Sequence, residues 1–284
     1  MSHWLPVRFN SDERIERARR QAATGDPEAQ AAYLRSRLRA RTILPEALRL
    51  AAALGDEPSA AALGVPLAYA PFGDLDAAML AISQDNEWGH WAAELWAWSL
   101  CEGTRWIWED VAPVDRLEQS GLPIRVLDLL NRWLENESPC AEERHGTTAS
   151  MANELFYLEE EVGDAMELTS ESEALTQWVE ALETTVTIFG SNMHMHWKST
   201  LWRSRHTAAA QWGDLDVRIP VPEGRHVHVP LYAHYAREVY RYAVWAVDVY
   251  RGGSGGTTLG PVLDQAQLDV DRWTREIMLP RLLA

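Results

Sequence analysis

Trp88-Gly89-His90-Trp91-Ala92-Ala93-Glu94-Leu95-Trp96-Ala97-Trp98-Ser99-Leu100-Cys101-Glu102 is the stretch that decides the fold. It contains no proline and only one glycine, and its large apolar residues recur at three- and four-residue steps. Trp88, Trp91, Leu95, Trp98 and, further on, Trp106 fall on one face of a helix spanning Glu87 to Glu109. A tryptophan stripe of this kind is a core seam between packed helices rather than a ligand box. Glu102 shares that face, and pairing with Arg105 is the expected way to satisfy its charge.

The same helical period runs outward in both directions. Ser11-Asp12-Glu13 opens a first helix that Gly25 stops, and Asp26-Pro27-Glu28 starts the next with an N-cap, an N1 proline and an acid in the first turn. Ala22-Ala23-Thr24-Gly25-Asp26 returns thirty residues later as Ala52-Ala53-Leu54-Gly55-Asp56, which reads as a helix-turn-helix repeat over 7–64. The linker Val65 to Gly73 separates it from a main helical domain, 74–284. Helices are expected there at Asp74 to Ser83, Leu122 to Leu134, Ala141 to Met166, Ser172 to Phe189, Lys198 to Trp212, Tyr232 to Tyr250 and Pro261 to Leu282. The fold class is therefore all-α, an orthogonal or bundled array of helices. One short β-hairpin is expected near 216–229, where Asp216 to Val221 and Arg225 to Val229 alternate around Glu223-Gly224.

Charge is distributed unevenly. The net charge is -16, yet residues 51–190 alone hold 27 acids against 5 Arg. So negative a field repels nucleic-acid phosphates and attracts basic proteins. The densest acidic run is Glu154, Glu159, Glu160, Glu161, Asp164 and Glu167. Within it Glu160, Asp164 and Glu167 share one helical face. Glu159, Glu160, Asp164 and Glu167 are accordingly the expected partner-binding residues. No apolar stretch approaches the ~20 residues that span a bilayer. Met1 to Pro6 shows no basic start followed by an apolar run, and Cys101 and Cys140 suggest no disulfide framework. A cytoplasmic protein is the expectation, with neither nucleic acid nor membrane as partner.

Signatures of chemistry are sparse. No phosphate loop, HExxH or CxxC occurs, and the GxSxG match at Gly252 to Gly256 follows a helix instead of the strand a nucleophile elbow needs. His194-Met195-His196 and His226-Val227-His228 are two HxH pairs. An extended 226–229 puts His226 and His228 on one face, where paired imidazoles can hold zinc or another transition metal. A hydrolase or oxidase built on them, with Glu223 as base, is the enzymatic alternative to a cofactor-free binding protein. A helical adaptor in a larger assembly is a further alternative.

Leu95-Trp96-Ala97-Trp98-Ser99-Leu100-Cys101-Glu102, Trp108-Glu109, Pro113, Asp115-Arg116, Pro123, Leu127 and Trp133 together resemble a helical block of bacterial immunity proteins associated with polymorphic toxins. The block covers about residues 94–137. The N-terminal stretches, Arg17 to Ala29 and Ala47 to Asp56, are similar to a repeat-companion helical module of myxobacterial type. The resemblance implies a non-enzymatic protein that neutralises a cognate toxin, and it supplies no catalytic residues.

Overall fold

The computed structural model describes residues 15–67, 75–83, 86–137, 141–166, 169–190, 217–221, 225–253 and 265–284. Residues 15–22 form helix α1. Gly25 then turns at φ 80°, and the Asp26 side chain accepts from the N–H groups of Glu28 and Ala29 to open α2, Pro27–Ala40. The same device recurs thirty residues later: Gly55 turns at φ 89° and Asp56 accepts from the Ser59 N–H. Between them lies α3, Pro45–Ala53, and after them α4, Glu57–Leu63. Both glycines occupy backbone that a side chain would strain, which is why Gly-Asp punctuates the sequence twice. Leu75–Ile82 forms α5, which packs on α3.

The chain divides into two units, 1–84 with 279–284, and 85–278. In the first, Leu48, Leu50 and Ala51 are fully buried. Its Arg37 donates to the carbonyls of Thr42 (3.0 Å), Leu283 and Ala284 (2.6 Å). A buried guanidinium thereby satisfies carbonyl oxygens just past two helix C-termini.

The second unit is built around α10, Ser170–Gly190. It packs against α6 (Asn86–Gly103), α7 (Trp106–Val111), α9 (Ala141–Ala165) and α11 (Leu231–Tyr250). Helix α8, Leu122–Arg132, continues as a π-helical turn, Trp133–Glu137, and α12 spans Gln265–Leu282. Strands β1 (Val217–Val221) and β2 (Arg225–Val229) pair antiparallel with Ile219 opposite Val227. Among the described residues no helix is long and apolar enough to cross a membrane.

The tryptophan-rich segment is not one helix. It breaks at Thr104-Arg105, between α6 and α7. There the Trp178 indole of α10 donates to the Cys101 carbonyl (3.3 Å) and the Thr104 hydroxyl (3.1 Å), and the chain tightens into three-residue turns. Trp178 is fully buried and stacks on Trp108, with centroids 5.8 Å apart. The buried tryptophans of α6 are Trp96 and Trp98; Trp88 and Trp91 stay partly exposed. Trp98 donates to the Leu127 carbonyl at 3.1 Å. Glu102 pairs with Arg105 at 3.6 Å, so its place beside the tryptophan face is a surface ion pair. Gly190 ends α10 where an added Cβ would lie 2.6 Å from the Thr148 hydroxyl, so the missing side chain lets α9 and α10 approach closely.

Candidate interaction face

Helix α9 carries Glu142, Glu143, Glu154, Glu159, Glu160, Glu161 and Asp164, and, with no lysine, a single arginine, Arg144. That arginine points inward. Its side chain is 14% exposed and pairs with Glu94, which is itself buried on α6. Its Nε donates to the Phe189 carbonyl at 2.8 Å, and the guanidinium lies over the rings of Trp133 (5.4 Å) and Phe189 (5.3 Å). His90 completes the cluster, with Nε2 3.1 Å from Glu94. The His90 ring also meets Tyr232 edge to face. Burial of these charges is tolerated because each carboxylate and guanidinium is paired and hydrogen-bonded.

With Arg144 withdrawn, the outward stripe of α9 is Glu143, Gly146, Ser150, Asn153, Tyr157, Glu160 and Asp164, all exposed at alternating three- and four-residue steps. It holds no positive charge. Tyr157 stands 52% exposed on it, braced edge to face by Phe156. A large aromatic left half open to water among carboxylates has the composition of an interface anchor. The end of α9 is held by the loop between α7 and α8. Arg116 donates to the Ala165 carbonyl (3.1 Å), and Glu161 accepts from the Glu118 N–H (3.4 Å).

Of the residues expected to bind a partner, Glu160 and Asp164 lie on this stripe. Glu159 turns away from it toward α10. Its carboxylate lies within 4.8 Å of those of Glu180 and Glu183, and Tyr242 of α11 is hydrogen-bonded to Glu180. Burial, and then the negative charge of Glu180 and Glu238, push the Tyr242 hydroxyl well above the ordinary phenol range. Three carboxylates at this spacing are the ligand type that hard divalent cations take. Among the described residues no other group of three His, Cys, Asp or Glu side chains comes as close. Glu167, His194 and His196 lie outside the described residues, as does the 198–212 segment expected to be helical. His226 and His228 occupy alternate positions of β2, opposite Pro220 and Arg218 in the register.

Cys101 is buried and hydrogen-bonds with the Thr185 hydroxyl at 3.2 Å. Burial pushes its thiol up to about 12, which makes it a core residue rather than a nucleophile.

Sequence reasoning could place the acids of α9 on a face, but not the inward turn of Arg144 or the approach of Glu180 and Glu183 to Glu159. The only trace of the latter is the i, i+3 spacing of Glu180 and Glu183. Comparison of the chain with protein families, curated proteins and solved structures finds no match.

Proposed function

We propose that this chain is a non-enzymatic binding protein that docks a basic protein partner on the outward face of α9, as an immunity protein docks and neutralises a cognate toxin. The observation that carries the reading is Tyr157, half exposed beside the exposed carboxylates Glu160 and Asp164, on a helix whose single arginine is spent inside the protein. The carboxylates would steer a cationic surface toward the face, and the tyrosine would supply apolar contact once it arrives. In this reading the helical repeat over 7–64 and the hairpin near 216–229 are parts of the scaffold.

Steering of this kind fades as salt shortens the Debye length from about 30 Å at 0.01 M to about 8 Å at 0.15 M. The association rate of a partner recovered from the native host should therefore fall about tenfold or more across that range in stopped-flow mixing. A rate indifferent to salt would rule out docking on this face. Metal-dependent chemistry is a second reading, favoured by the Glu159, Glu180 and Glu183 trio. Elemental analysis of protein purified without an affinity tag decides it: a stoichiometric metal supports that reading, and metal-free protein removes it.

A further inference from the structure

Away from α9, a second group of side chains has the chemistry of a binding site. Trp106 opens α7, Tyr250 closes α11 and Trp273 lies on α12, and all three are partly exposed. Tyr250 stands at 84° to Trp106 with centroids 4.9 Å apart, and Trp273 stands at 70° to it at 5.6 Å. Rings set at right angles leave a corner in which one ligand can face two π-surfaces. A cation is drawn to such a surface when it lies within about 6 Å of the ring centre. The Trp106 indole nitrogen is buried without a hydrogen-bond partner, so the corner offers ring faces rather than indole hydrogen bonds.

The charges around the corner favour a cation. Asp110 follows Trp106 by four residues, on the same side of α7. The Tyr250 hydroxyl donates to Asp110, and Glu171 is near enough to help keep it protonated. The neighbouring bases are committed elsewhere. Arg105 pairs with Glu109 at 2.7 Å, Arg251 pairs with Asp269, and Arg272 pairs with Asp269 at 3.1 Å. The Arg272 guanidinium lies 5.7 Å from the Trp273 centroid, so a cation already rests against one of the three rings. The corner left for a ligand is that between Trp106 and Tyr250.

We propose that this corner binds a quaternary ammonium group. Such a group cannot donate hydrogen bonds, so it takes its binding energy from aromatic faces within a negative field, which is what these residues supply. The proposal does not depend on the docking role of α9.

Tetramethylammonium titrated into the full-length protein at constant ionic strength is the test, followed through the proton resonance of its methyl groups. The expected result is a saturable upfield ring-current shift with a dissociation constant roughly in the millimolar range, as a few cation–π contacts allow. Choline, which carries the same cationic head, should bind likewise, and its neutral isostere 3,3-dimethylbutan-1-ol should show no saturation. Tyr250→Leu, checked for an unchanged circular dichroism spectrum, should weaken binding about threefold to tenfold, while Arg272→Gln should leave it in place. No saturable shift up to about 50 mM, well beyond the millimolar range such contacts support, would overturn the proposal. Equal binding of cation and isostere, or full binding by a folded Tyr250→Leu, would overturn it as well.

Discussion

Arg144→Leu should lower the unfolding free energy by about 3–5 kcal/mol, measured by urea denaturation, because it strands a buried carboxylate. Glu94 is 5% exposed, and Arg144 is its guanidinium partner. The substitution also removes the donor to the Phe189 carbonyl and the cation over Trp133 and Phe189. The double variant Arg144→Leu/Glu94→Gln no longer buries an uncompensated charge and should recover much of the loss. Recovery in the double variant would show that the cost lies in the stranded charge; an additive loss would assign it to packing.

Asp271→Asn should act in the opposite direction, and only above mildly acidic pH. Asp271 accepts from the Tyr240 hydroxyl at 2.9 Å. Burial pushes its carboxyl up to about 7, against the pull of Tyr240 and Arg275 toward lower values. A folded pKa raised above the unfolded one means that the folded chain keeps a proton the unfolded chain has already lost. The favourable contribution is complete below the unfolded pKa near 4 and is lost as pH rises toward and through 7. At pH 8 the native protein carries the cost of a desolvated carboxylate that the amide avoids. The variant should therefore be roughly 2–4 kcal/mol more stable than the native chain at pH 8 and no more stable at pH 4. Paired thermal melts across that range check it, since the histidine contributions are common to both proteins.

Much of the scaffold could be read from sequence because local rules carry it. Gly25-Asp26-Pro27 and Gly55-Asp56 mark helix starts by φ and capping chemistry that depend on few distant contacts. The break at Thr104-Arg105 escaped such reading because its cause is Trp178, seventy-four residues away from Thr104. Periodicity assigns the seam to Trp88, Trp91, Leu95, Trp98 and Trp106; packing buries Leu95 and Trp98 of these, together with Trp96, which lies off that stripe. On the candidate face, helical spacing placed Glu160 and Asp164 together but could not separate them from Glu159, which faces α10. Tyr157 drew no notice, because whether an aromatic is core or surface depends on the neighbouring helices rather than on its own sequence context.

The central proposal, that a basic partner docks on α9, is tested most directly by reversing the charge of the stripe and timing association. Glu160 and Asp164 are exposed, so Glu160→Lys/Asp164→Lys should leave the fold intact. With a partner recovered from the native host at low salt, the double variant should associate about ten to a hundred times more slowly than the native chain. Association at the native rate would contradict the proposal.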